Sequence, residues 1–283
     1  MKTSHIITFY ALQILRKGFS SLSARKRFYV ASRIGEIFYN YLGLRKDQAR
    51  ANIQRAFPNL NTDKIEKILK NTYLNFCHNF IEFTTLPLSY KNINIKVRGL
   101  KKLQSLLDQR KGIVFITGHF GSWEILGQWV ARNAPLFVGV AQKQKNKGAH
   151  NFFINQRELA GIKHIFRGSS VNLMYDVLSK NGMLGLVSDQ DAKKKGVFVD
   201  FFGVPASTPK GAALFHINTE APLLLGICFK ENFQKYHIHF RTINTGNKSI
   251  KHITQEYTGH LESYIKKYPD QYFWFHRRWK TKP

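Results

Sequence analysis

Residues 112–124 read GIVFITGHFGSWE, and the fold class follows from how that stretch divides. IVFIT (113–117) is a short apolar run closed off by glycines, the texture of a strand buried on both faces. Similar runs recur at LFVGVA (136–141), MLGLVS (183–188), VFVDFF (197–202) and LLLGICF (223–229), separated by segments long enough for helices. This alternation predicts an α/β fold with a mixed, largely buried central sheet flanked by helices. YHIHFRT (236–242) alternates at period two, as an edge or half-exposed strand does. Helical spacing appears over 27–42 (Val30, Ile34, Ile37, Phe38, Tyr41), over 63–85 up to Pro87, and over 249–268 up to Pro269. The aromatic-rich face of 27–42 suits either the core or a membrane.

Composition narrows the classes. The 283 residues carry 44 Lys+Arg against 17 Asp+Glu, a formal net charge of +27, yet 43% are hydrophobic, too many for a disordered chain. Cys77 and Cys228 stand far apart with no CxxC, so no disulfide framework or zinc site is legible, and a reducing compartment is expected. No run of 18 apolar residues occurs. Ile6 to Leu15 (IITFYALQIL), followed by Arg16 and Lys17, reads as an interfacial helix, with a single tilted span as the alternative. The expected organisation is a basic, amphipathic, membrane-associating helical arm over 1–60 and an α/β domain over 61–283. Both ends are cationic, which draws the chain to polyanions: nucleic acid, anionic headgroups, phosphorylated substrates or acidic proteins.

GHFGSWE (118–124) begins where the strand 113–117 ends, the lip on which α/β sheets bind ligands. The turn at Phe120-Gly121 lets His119 meet Glu124, with Ser122 placed to cap the following helix. A carboxylate on one ring nitrogen would leave the other to take a proton from an incoming hydroxyl. Two prolines and two glycines in FFGVPASTPKG (201–211) mark a loop that either contacts an acceptor through Phe202, Gly203 and Thr208 or is simply a tight strand-to-helix connection. His237 and His239 share a strand face, but a third metal ligand at suitable spacing is not apparent, and they read as structural.

Four ordered stretches carry a family resemblance: RANIQRAFP (50–58), GHFGSWE (118–124), DQDAKKKGVFVDFFGVPAST (189–208) and QYFWFHRRWK (271–280). Together they resemble the LpxL/HtrB/LpxM family of lipid A late acyltransferases, within the H-x4-D/E glycerolipid-type acyltransferases. The resemblance implies a glycerolipid acyltransferase-like fold and transfer of a fatty acyl chain from an acyl carrier protein thioester to a hydroxyl of a lipid A precursor at the cytoplasmic face of the inner membrane. It implies His119 as general base with Glu124 as its orienting partner. Arg157 is then a phosphate or oxyanion contact, and Asp189 and Asp191 an acidic pair beside the site; separately, the aromatic-basic ending WFHRRWK suits a headgroup surface and offers Arg278 as a phosphate ligand. No metal or cofactor is expected, since a thioester is already activated. The expected partners are an acidic acyl carrier protein, an anionic membrane surface and a phosphorylated glycolipid. A mannosylated acceptor or an acyl-CoA donor would use the same chemistry. A nucleic-acid-binding module fits the charge but leaves the His–Glu pairing unexplained, and no nucleic-acid motif is recognisable.

Overall fold

In a computed structural model that describes residues 2–91, 93–246 and 249–283, the chain opens with four helices. These are α1 (Thr3–Ser20), α2 (Ala24–Ile37), α3 (Lys46–Ala56) and α4 (Thr62–Thr84), with a π-helical turn over Phe38–Leu42. A short α5 (Leu88–Lys91) leads to β1 (Asn94–Arg98), α6 (Leu100–Asp108) and β2 (Ile113–Thr117). Next come α7 (Trp123–Asn133), β3 (Phe137–Ala141), α8 (Lys147–Leu159), β4 (Lys163–Phe166), α9 (Asn172–Ser179) and β5 (Met183–Val187). The chain finishes with β6 (Val197–Phe201), β7 (Val204–Thr208), α10 (Gly211–Thr219), β8 (Leu223–Lys230), β9 (Lys235–Thr242) and α11 (Ile250–Lys267).

Seven strands form one sheet in the order β1-β9-β8-β2-β5-β3-β4. All neighbours are parallel except β8 and β9. The alternation of side chains along a strand sends β2 to both faces. Val114 and Ile116 join the cluster under α10 and α11 with Ala213, Ile253, Tyr257 and Leu261. Ile113 and Phe115 join the cluster under α6 and α7 with Leu103, Leu106, Leu126 and Trp129. Every residue of β8 is buried. Both cysteines are buried and free.

Two expectations change. VFVDFF is not a strand of the central sheet: β6 pairs antiparallel with β7 as a separate hairpin packed on α11. Its apolar texture comes from contacts such as Phe201 with Tyr272 and Trp279. Of the two readings of 236–242 the half-exposed one holds: its burial alternates, and β1 pairs with it from outside. The helix expected over 27–42 does not run unbroken, since the π turn takes its last five residues.

Ala49 and Ile53 of α3 are fully buried in the main core, and Asn52 donates to the carbonyls of Trp274 and His276 at 2.7 Å each. α1 lies on α8, where a Cβ on Gly148 would fall 1.8 Å from the His5 carbonyl oxygen. Only glycine permits that approach. Among the described residues, no helix is long and apolar enough to cross a membrane.

Candidate active site

β2 and β5 are parallel neighbours, and their register sets Thr117 opposite Val187. Two residues beyond each strand the chain therefore presents His119 and Asp189 side by side, at the carboxyl end of the sheet. His119 Nδ1 lies 2.8 Å from Asp189 Oδ1, and the His119 backbone N–H donates to Oδ2 at 3.0 Å. A carboxylate can only accept here, so Nδ1 carries the hydrogen and the lone pair sits on Nε2. The His119 side chain is 27% exposed and that of Asp189 only 2%. Burial disfavours charge on the imidazole, but the attraction and hydrogen bond of Asp189, aided by Glu124 and opposed by Arg157, outweigh it and raise the His119 pKa above its ordinary 6.5. Burial likewise pushes Asp189 up, and the His119 contacts, with Arg278 behind, overcome it to hold the carboxyl below its ordinary 3.8.

The expected His119–Glu124 pairing is not formed. Glu124 leaves the first turn of α7 toward α8 and grips Arg157, with Nε 3.2 Å from Oε2 and Nη2 on Oε1. That two-point match of planar groups holds the guanidinium over the Phe83 ring. His119 is served by the neighbouring strand because a buried carboxylate at equal height has less distance to cover than one that must reach back along its own helix.

The other expected contacts separate. Asp191 accepts from Thr281 in the C-terminal tail and does not join Asp189 on the imidazole. Arg278 is only 2% exposed and is spent inside, donating to the Ser207 carbonyl at 2.7 Å and to the Thr208 hydroxyl. Neither Arg278 nor the fully buried Thr208 presents a group at the surface to a phosphate. Phe202 and Gly203 form the tip of the β6–β7 hairpin, where Phe202 packs on Phe57 and Trp274. The 201–211 segment is neither a loop nor a direct strand-to-helix connection: it holds the hairpin turn, with positive φ at Phe202 and Gly203, and then strand β7.

Residues outside the motifs complete the surroundings. The imidazole lies between the rings of Trp123 and Phe273, with centroids 5.4 and 5.9 Å away. Phe273 also donates its backbone N–H to the His119 carbonyl at 3.0 Å, so the C-terminal motif closes over the turn. The cavity walled by Phe76, Trp123 and Phe273 is about 10 Å³, room for one water and not for a hydrocarbon. His276 adds a second imidazole in the field of Asp189 and His119, kept neutral by burial. His237 stacks on Phe229, and His239 is bonded to the Tyr264 hydroxyl at 2.9 Å.

A histidine poised by a buried carboxylate at the mouth of an α/β sheet defines a general-base site able to activate a hydroxyl for group transfer. The chain belongs to the bacterial lipid A biosynthesis acyltransferase family, whose pattern matches residues 2–281, and it is accordingly an acyltransferase. It is 24% identical over 240 residues to the phosphatidylinositol mannoside acyltransferase of Mycolicibacterium smegmatis, covering 82% of this chain and 79% of that one. The Mycobacterium tuberculosis protein of the same name is 27% identical over 191 residues, 65% of this chain and 59% of the other. The lipid A biosynthesis palmitoleoyltransferase of Escherichia coli is 23% identical over 263 residues, 90% and 85% of the two chains.

Proposed function

We propose that the protein moves a fatty acyl chain from an acyl carrier protein thioester to a hydroxyl of a phosphorylated lipid A precursor, with His119 as base and Asp189 as the group that holds it. The supporting observation is the bidentate seat of His119 on Asp189, which leaves Nε2 as the free acceptor. Nε2 takes the acceptor's hydroxyl proton as its oxygen attacks the thioester carbonyl. The tetrahedral intermediate expels the thiolate, and the imidazolium returns the proton to sulfur. Asp189 stays ionised throughout and stabilises the imidazolium.

The backbone donors of the catalytic turn are spent within the fold. Phe120 N–H goes to Gly118 O, Gly121 N–H to Gln271 O, and Ser122 N–H to Cys228 O. Those three N–H groups are not available to the developing oxyanion or to a phosphate beside it, and a side chain can supply the contact. Arg157 is the candidate, since Glu124 fixes its Nε and Nη2, and Nη1 has no partner among the described residues. Replacing Glu124 by glutamine keeps the shape but weakens the grip on Arg157. Steady-state kinetics should show about a tenfold loss in kcat/KM, one charge-assisted hydrogen bond's worth, with the pH profile little moved.

The first helix suits a membrane surface. Ile7 and Ile14 are 63% and 69% exposed, and Tyr10 lies between them on the same side, near Arg16 and Lys17. An apolar stripe flanked by cations lies in an anionic interface. Changing Ile7 and Ile14 to asparagine removes about 1.5–3 kcal/mol of burial per fully inserted side chain. Co-sedimentation with anionic vesicles should fall at least tenfold while the circular dichroism stays unchanged; undiminished binding would refute the membrane face. That face would lie on the cytoplasmic side of the inner membrane, where acyl carrier protein is present.

The names of the relatives span two acceptors, lipid A and phosphatidylinositol mannoside, so a mannosylated lipid is the second reading. Mass spectrometry of the lipids of cells lacking the protein separates them. Loss of one acyl chain from lipid A supports the first reading, and an unchanged lipid A with an under-acylated glycolipid of another class refutes it. Purified protein given acyl carrier protein or coenzyme A thioesters identifies the donor.

A further inference from the structure

Behind the catalytic turn lies a buried ion pair that the chemistry above does not use. Lys230, the last residue of β8, has a side chain only 5% exposed and places its ammonium 2.8 Å from Glu82 Oε1 of α4. Lysine is almost never so buried without a specific partner. The same ammonium donates to Asn79 Oδ1 at 3.0 Å. This contact fixes which end of the Asn79 amide is oxygen, so Nδ2 must face the other way, and it donates to the Gly121 carbonyl at 2.7 Å. The second oxygen of Glu82 accepts from the Ser122 hydroxyl at 2.9 Å. Ser122 occupies the N-cap position of α7, where such a hydroxyl ordinarily accepts from the helix backbone, but here it makes no cap bond. Both arms of the network thus end on the two residues that carry the chain from His119 into α7. Gly121 has φ +56°, and a Cβ there would lie 1.9 Å from the Cys228 carbonyl oxygen, so the turn is pressed against β8 with no slack.

A buried ion pair is a poor source of stability, because desolvation offsets the attraction and an apolar pair of the same shape often serves as well. What it supplies is direction. We propose that Lys230 and Glu82 are positioning residues, which act through Asn79 and Ser122 to set the backbone of the 120–122 turn and with it the height of the His119 imidazole over the acyl carbonyl. This rests on the reading of His119 as base. A displacement of about 1 Å at a reacting group can cost on the order of 10²-fold in rate.

The test is the double variant Lys230→Met with Glu82→Gln, which keeps both shapes and removes the two charges of the pair together, assayed as full-length protein beside His119→Ala. The double variant should melt within a few degrees of the wild type. Its kcat should fall at least tenfold, with KM within twofold and the acid limb of the pH profile in place, since Asp189 and His119 are untouched. A stable double variant with kcat within twofold of wild type, well below its melting temperature, overturns the positioning role. If His119→Ala retains wild-type activity, it is the base assignment that fails, whatever the double variant does. Should the double variant not fold, Ser122→Ala decides, since it removes one hydroxyl from the turn. Positioning requires about a fivefold loss in kcat at unchanged KM and melting temperature, and wild-type kcat refutes it. Tyr236→Phe removes a 2.7 Å hydrogen bond to the same Glu82 carboxylate without touching the turn. It should cost stability and leave kcat within twofold; an equal kcat loss in both single variants would mark the network as merely structural.

Discussion

Alanine in place of His119 should lower kcat by about 10²–10⁴-fold, the span that a positioned general base contributes. The change is small for the fold. The imidazole is partly exposed, its main-chain N–H still donates to Asp189 Oδ2, and its carbonyl still accepts from Phe273. A properly folded variant with nearly unchanged acceptor KM is therefore expected, because the base acts on the proton in flight rather than on the bound lipid. Acyl transfer within a few-fold of wild type, measured as radiolabelled product from a purified thioester donor, would show that some other group takes the hydroxyl proton. Asparagine at 119 makes a useful companion. It keeps a donor toward Asp189 but offers no nitrogen lone pair, and it should be as inactive as alanine.

The parts of this molecule that were legible from the sequence are those whose burial is uniform. β2 and β8 announce themselves because strands covered on both faces read as unbroken apolar runs, and β3 and β5 share that texture through their buried first residues. β1, NIKVR, alternates exposed and half-buried positions and carries two cations, so nothing in its composition separates it from a loop. β6 resembles a sheet strand because Phe201 is packed by Tyr272 and Trp279, brought from the far end of the chain. The same reason explains the site. Spacing within one stretch couples His119 to Glu124, five residues on, whereas sheet order couples it to Asp189, seventy residues on. A signal was present. SDQ follows MLGLV (183–187) just as GHF follows IVFIT (113–117), and two five-residue runs pairing in parallel bring position 189 level with 119. Arg278 looks like a ligand in WFHRRWK because an arginine's burial cannot be read from its neighbours. Only the fold shows that it ties the tail to β7.

Asp189→Asn separates the two candidate carboxylates most sharply. With asparagine at 189, the amide can turn its NH₂ toward Nδ1, which then becomes the acceptor and moves the hydrogen to Nε2, the atom that must take a proton. The imidazolium formed during the reaction also loses the negative charge beneath it. A loss in kcat of at least 10²-fold is expected, larger than that of Glu124→Gln. The pH dependence fixes the sign. Asp189 raises the His119 pKa above 6.5, so in the wild type the acid limb of kcat/KM, which marks loss of the neutral base, lies above 6.5. Without that carboxylate, burial is the main influence left, and it disfavours the charged ring, so the limb moves to lower pH while the plateau drops. Glu124→Gln also removes a charge that raises His119, but a weaker one, and its limb should shift less. If instead Glu124→Gln moves the limb and Asp189→Asn leaves it fixed, the carboxylate that holds the base is on α7, and the pairing across β2 and β5 does not operate during turnover.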